Sequence, residues 1–429
     1  MTEESHRMRA AKTLSEKILS TKSNTDSRAG DIVVCDVDLV IGTDASSPMA
    51  IDYFRKMGGT ALADPSRVVF SLDHYSPPST SKTAAFHDEV RRFAREHGAT
   101  VLEVGEGISH QVIPELGRAL PGMLIIGADS HTVTCGALDL FATGLGSSDI
   151  AAAMITGKTW LRIPETIRVV LTGQRAPGVT AKDAALAMVA LLGAEGANYR
   201  ALEFHGEGVA DLTLEDRFVL SNLAVESGAK AAIFPFDRET DDYLVGRTFD
   251  RGTVVASDPN ARFEREVAID LSALTPRVSI PHSPNDVVAL TDLADTRIDM
   301  VFVGTCTGGR VADFHEALRE IERRGGRIAP GVQLVITPAS REVYVRLLED
   351  GTITRLATMG AVITTPGCGA CCGTSGVIPG DGMNVLSTAN RNFKARMGNA
   401  GASIYLASPA ACGAAAATGH ISDPRELIG

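Results

Sequence analysis

No stretch of this chain is apolar for long enough to cross a bilayer, and its first residues, Met1-Thr-Glu-Glu-Ser-His-Arg, lack the charged start and apolar run of a signal peptide. Positive charge is also short: 41 Lys and Arg against 52 Asp and Glu leave a net charge of −11. A nucleic acid or an anionic membrane selects a basic surface, so neither is an expected partner. A small acidic substrate needs only a local cluster of arginines and stays open. Cysteine is sparse: seven, an odd number, suggest no disulfide framework and fit reduced thiols in a cytoplasm. There is no residue-level repeat and no low-complexity segment beyond the alanine run at 410–417.

What the sequence does have is length and glycine. At 429 residues the chain is too long for one ordinary core, and its 42 scattered glycines suit many tight strand-to-helix loops. Strand-like and helix-like segments alternate throughout, which predicts an α/β fold of mostly parallel sheets with helices on both faces. Residues 1–30 read as a polar segment with one short amphipathic turn at Leu14, Ile18 and Leu19, then a loop over 20–30 of disordered character. Three α/β units follow, at 31–163, 164–283 and 284–429, with the last boundary in the Pro276 to Pro284 stretch.

In the first unit, strands over 68–72, 100–104 and 123–127 deliver Asp73-His74, a loop carrying His110, and Asp129-Ser130-His131. Ligands of open α/β sheets sit beyond the C-terminal strand ends, so these side chains are expected around one crevice. A single such histidine is more often a hydrogen-bonded loop residue; three on successive strand ends raise the functional reading. In the second unit a helix over 214–228 places Asn222 and Glu226 four apart on one face. Glu226 is either exposed or buried against a partner, for which a histidine is the natural candidate.

In the third unit Cys306 lies in Gly304-Thr-Cys-Thr, and Cys368 and Cys371 lie in Pro366-Gly-Cys-Gly-Ala-Cys. A redox pair, structural zinc and an iron–sulfur cluster all use such spacing. The redox motif belongs in a thioredoxin-like unit, and structural zinc wants a fourth ligand near the single Cys306. Three thiolates fit a 4Fe–4S cluster with one open iron, a Lewis acid. Cys372 competes with Cys371 but breaks the spacing, while Cys35, Cys135 and Cys412 read as small packing residues. Downstream, Asn390-Arg391 and Arg396 suit capture of a carboxylate; the plainer alternative is surface salt bridges.

Together these motifs resemble the aconitase superfamily, most closely the large subunits of 3-isopropylmalate dehydratase and homoaconitase. The likeness runs from about Leu14 onward and includes Gly127-Ala-Asp-Ser-His-Thr, Ser221-Asn-Leu-Ala-Val-Glu, Asn390-Arg-Asn-Phe and Tyr405-Leu-Ala-Ser-Pro-Ala. It implies three aconitase-like domains without the swivel domain, packed around one 4Fe–4S cluster on Cys306, Cys368 and Cys371. Asp73 and His74 would handle the proton of the departing hydroxyl, His110 and His131 would line the site, and Glu226 would orient His131. Asp129, Ser130, Asn222 and Asn390 would be polar contacts, and Arg391 and Arg396 would hold substrate carboxylate. The implied activity is a hydro-lyase acting on a small hydroxy di- or tricarboxylate. Rivals are a hydratase of a simpler dicarboxylate, such as maleate, citraconate or dimethylmaleate, and a non-catalytic iron-sensing, RNA-binding relative.

Two positions depart from the family pattern: Gly308 stands where Asn is usual, and Ala395 where Gly is usual. Single-chain members take the base that removes the carbon-bound proton from a C-terminal swivel domain. This sequence ends at Gly429 without room for one, so a separate small subunit is the expected partner.

Overall fold

The computed structural model describes residues 11–426. In the first sheet, five parallel strands lie in the order Thr100–Leu102, Val68–Ser71, Leu39–Thr43, Leu124–Gly127, Phe141–Gly144. Every residue of Leu39–Thr43, Val68–Ser71 and Leu124–Gly127 is buried, which is why these strands read as short apolar runs rather than alternating ones. The helix Ser81–His97 crosses between the Val68 and Thr100 strands. Thr80 caps its start, Val90 and Phe93 face inward, and Gly98 ends it in the left-handed conformation. A two-stranded antiparallel ribbon, Ile32–Asp36 with Lys158–Arg162, stands apart from this sheet.

The second sheet is also parallel, in the order Ala231–Ile233, Ala201–His205, Thr166–Thr172, Arg265–Asp270. The third has seven strands. Five are parallel, in the order Val362–Ile363, Gln333–Thr337, Met300–Gly304, Asn384–Ser387, Ser403–Ala407. Taken by chain order within each sheet, the five strands of the first and these five share one arrangement, 3-2-1-4-5. That is the doubly wound pattern, whose ligand crevice lies where the winding reverses beside the first strand. The strand ends of the two sheets meet: Cys368 N donates to Asp73 O at 2.9 Å, and Ile108 N donates to Ala339 O at 2.8 Å. Gly107 makes this approach feasible, because a Cβ there would lie 2.5 Å from Ser340 Cα.

Several elements differ from the sequence reading. The 20–30 stretch is ordered by long-range contacts: helix Leu14–Ser23 buries Leu14, Ile18 and Leu19, its first-turn Leu14 N donates to Glu203 at 3.0 Å, and Gly30 N donates to Ile163 O at 2.9 Å. Polar composition there hid a capping box between Thr13 and Glu16. The unit boundary expected near 283 falls within an antiparallel pair, Arg277–Ser279 with Val287–Ala289, which joins the third sheet. His110 lies in the first turn of a short helix, Ser109–Glu115, rather than in a loop. The 214–228 helix stops at Leu223 and tightens into a 3₁₀ turn, Ala224–Ser227.

Two stability predictions follow from these packing facts. Leu14→Ala should cost about 2–5 kcal/mol in chemical denaturation, the range for a buried leucine; an unchanged midpoint would mean the N-terminal helix does not dock in solution. Ala395 holds φ at +65°, a conformation that costs a non-glycine roughly 1–2 kcal/mol. Ala395→Gly should relieve this, less about 0.5–1 kcal/mol of glycine's backbone entropy, for a net gain of about 0.5–1 kcal/mol; a loss of stability would show that φ is not retained.

Candidate active site

The cavity between the first and third sheets is lined by His74, His110, Asp129, His131, Cys306, Cys368, Cys371, Asn390 and Arg396, with Thr305 and Ile108. Asp129 stands at its centre, just beyond the Leu124–Gly127 strand. Its carboxylate lies 3.4 Å from His74 Nε2, 3.3 Å from His110 Nε2 and 3.5 Å from His131 Nδ1. Burial would raise this carboxyl, but the three imidazoles hold it well below the usual range. The three histidines thus share one anion.

His74 Nδ1 is 2.8 Å from Asp73 Oδ1, and Asp73 Oδ2 accepts from Ser109 N at 2.8 Å. Burial would lower His74, yet Cys368, Asp73 and Asp129 raise it well above its ordinary value. Burial likewise would raise Asp73, and His74 brings it below the carboxylate norm. These shifts favour an imidazolium beside a carboxylate, the form in which His74 can give up a proton. Asp44, at the end of the Leu39–Thr43 strand, accepts from His74 N at 3.0 Å and Tyr75 N at 2.9 Å. His87 Nε2 lies 2.9 Å from the same carboxylate. The sequence reading missed both Asp44 and His87. The signal for Asp44 was present, since it too sits beyond a strand end.

Glu226 is buried, not exposed. Its Oε1 is 2.9 Å from His131 Nε2 and accepts from Arg391 Nε at 2.8 Å. Burial would raise its pKa; His131 and Arg391 hold it low. Arg391 Nη2 also donates to Ser130 Oγ at 3.0 Å, so its guanidinium is oriented from two sides. Its neighbour Arg396 points to sulfur, with Nη2 3.5 Å from Cys371 Sγ.

The three cysteines were expected as a ligand set, and all three are buried free thiols on this cavity. Gly369, at φ +56°, turns the loop between Cys368 and Cys371 against Thr337, whose Oγ1 would lie 2.5 Å from a Cβ. Cys306 Sγ accepts from Asn222 Nδ2 at 3.0 Å and Asn390 Nδ2 at 3.3 Å. Asn222 and Asn390 are themselves joined at 3.1 Å. Burial pushes the Cys306 thiol up to about 12 and Cys368 well above its usual value. Thiols so buried ionise only when a cation replaces the proton, and amide donors aimed at sulfur suit a thiolate better than a thiol. The donor set thus fits a thiolate-bound metal centre. Asp73, His74 and Cys368 also bring three ligand atoms within 4.8 Å of one another.

The two family departures lie differently. A Cβ on Gly308 would meet the Thr388 side chain, and Gly308 is not among the residues lining the cavity. Ala395 is exposed, one residue before Arg396.

Comparison with known proteins agrees with this geometry. Residues 16–297 and 290–419 match the Aconitase family (aconitate hydratase). The chain is 44% identical over 418 residues to 3-isopropylmalate dehydratase large subunit 1 of Methanopyrus kandleri, covering 97% of this chain and 100% of that protein. It is 43% identical to the 3-isopropylmalate dehydratase large subunit of Elusimicrobium minutum, covering 97% and 99%. It is 44% identical to the corresponding large subunit 1 of Thermotoga maritima, covering 97% and 100%. Among solved structures, aconitase X of Thermococcus kodakaraensis (holo-form) shares the fold, with a TM-score of 0.51 at 15% identity over 91% of this chain and 93% of that one. With matches from end to end and a cavity built from the expected motifs, the chain belongs to the aconitase family.

Proposed function

We propose that this chain is the large subunit of a hydro-lyase that dehydrates, and rehydrates to an isomer, a small hydroxy diacid of the 3-isopropylmalate type. The observation that carries the reading is the near full-length match to proteins named as such large subunits, combined with a cavity that brings three buried thiols together with His74, His110 and His131. The large-subunit names also support a separate small subunit as partner.

Cys306, Cys368 and Cys371 would hold a 4Fe–4S cluster, whose open iron supplies a Lewis acid for the substrate hydroxyl and a carboxylate. The chain's own side chains do the rest. His74, charged between Asp73 and Asp129, gives its proton to the departing hydroxyl oxygen and takes one back on rehydration. Asp129 keeps His110 and His131 aimed at the same point. Glu226 fixes the His131 ring and braces Arg391, so the guanidinium meets a substrate carboxylate without reordering. Arg396 offers the second cation. A net charge of −11 weighs against the RNA-binding alternative, and full-length similarity to proteins named 3-isopropylmalate dehydratase large subunits weighs against a simpler diacid.

Three measurements test the reading. Anaerobically reconstituted protein should contain iron and acid-labile sulfide, and Cys306→Ser should lose both; a colourless, zinc-loaded wild type would refute the cluster. Mixed with a candidate small subunit, the protein should convert 3-isopropylmalate to its unsaturated acid, followed by ultraviolet absorbance, and full turnover by the chain alone would sink the two-subunit part. In that assay His74→Asn should lower kcat by roughly 10²–10⁴-fold, the usual scale for a positioned general acid; a wild-type rate would remove His74 from the chemistry.

A further inference from the structure

Lys182 is a buried cation that the mechanism above does not use. It is 2% exposed and sits at the second position of helix Ala181–Leu192. Both facts run against local preference. The first turn of a helix is its positive end and disfavours lysine, and a lysine is rarely interred without a carboxylate. Its ammonium instead donates to three neutral oxygens: Thr307 Oγ1 at 3.1 Å, Thr388 O at 2.8 Å and Ala389 O at 2.6 Å. A lysine ammonium has three hydrogens, so its donor capacity is filled.

All three acceptors belong to the segments that build the thiol side of the site. Thr307 follows Cys306 directly. Thr388 and Ala389 immediately precede Asn390 and Arg391. Thr307 Oγ1 also donates to Thr388 O at 2.7 Å, so one ammonium clamps two loops already in contact. The helix that carries it comes from the second unit. Among the described residues the ammonium makes no salt bridge; Asp313 accepts from Arg310 N at 2.8 Å and Asp183 closes the Thr180 capping box. Burial pulls Lys182 down to about 8, and Cys306, Cys412, Asp313 and Cys371, in that order, push it back up.

We propose that Lys182 is a positioning residue that ties the Cys306 and Asn390 loops to the second unit and adds a buried positive charge to that of Arg396 in balancing the thiolates of the metal centre. This rests on the cluster reading given above. It is distinct from a structural role because it places the charge itself, not only the bonds, in the function.

The test uses the full chain, reconstituted with iron and sulfide, as wild type, Lys182→Met and Lys182→Arg. Two readouts are taken: the rate at which a chelator strips iron, and the reduction potential of the bound cluster followed by electron paramagnetic resonance. Lys182→Met should lose iron at least tenfold faster and shift the potential to more negative values, because a nearby cation favours the added electron. Lys182→Arg, which keeps the charge, should recover the potential. Wild-type retention and potential in Lys182→Met would overturn the proposal. So would a faster loss with no shift in potential, which is what a purely structural role predicts. If Lys182→Met does not fold, Lys182→Gln takes its place: it keeps a polar side chain without the charge and should shift the potential to more negative values, and an unshifted potential in Lys182→Gln would overturn the proposal. A wild type that takes up no iron or sulfide fails the cluster reading itself, which separates the two failures.

Discussion

The buried carboxylate of Asp129 is the constraint around which the site is arranged. An isolated carboxylate removed from water costs several kcal/mol even after relaxation, so a fold that buries one must bring compensation to it. Here the compensation comes from three imidazoles, those of His74, of His110 in the first turn of its helix, and of His131 two residues after Asp129 itself, each within 3.5 Å. None of these segments is free to drift without leaving the charge unmatched. The same balance recurs outward. Glu226 is matched by His131 and Arg391, Asp44 by His87 and the His74 backbone, and Asp73 by His74 and Ser109 N. Catalytic geometry and electrostatic solvency are therefore one requirement: each side chain that positions a histidine also neutralises a charge.

The architecture explains how so many loops reach one point. Two sheets wound in the same 3-2-1-4-5 order meet at their C-terminal strand ends. In the first, the reversal lies between the strands ending in Asp44 and Asp129; in the third, between those leading to Cys306 and Asn390. The switch points face each other, acids and bases on one wall and thiols on the other. The second sheet does not line this crevice with its strand ends but reaches it with helices, through Asn222, Glu226 and Lys182. One hydrophobic core runs through all three units, from Ile41 through Phe204 to Phe302, so the two walls are not free to hinge independently.

How much of this was legible beforehand depended on whether the chemistry was local. Cys368 and Cys371 declared themselves by spacing, and the histidines by their places beyond apolar strand runs. The shared strand order was not legible, because order in a parallel sheet is set by pairings between distant segments, and the two sheets have no residue-level repeat. Glu226 looked undecided for the same reason: its partners are 95 and 165 residues away. Lys182 and His87 carried no signal that separates them from surface residues on amphipathic helices, since what makes each unusual is a tertiary acceptor. The N-terminal helix was misread because polar composition outweighed three well-spaced apolar residues, whose docking surface lies elsewhere in the chain.

The same charge balance bears on what this half of the active site leaves undone. Dehydration of a hydroxy acid needs a proton given to the leaving oxygen and a proton taken from the neighbouring carbon. The cavity is well supplied for the first, with His74 held charged. For the second it is poor. Asp73, Asp129 and Glu226 are each engaged by imidazole or guanidinium and held below the ordinary carboxylate range. A carboxylate stabilised in this way is a weak base, and proton abstraction from carbon asks for a strong one near its working pH. Freeing any of the three would strand a buried histidine or arginine charge, so the fold cannot release one without loosening the acid side as well. An efficient carbon-proton base is therefore best supplied from outside this network, which is a chemical reason for the separate small subunit proposed above.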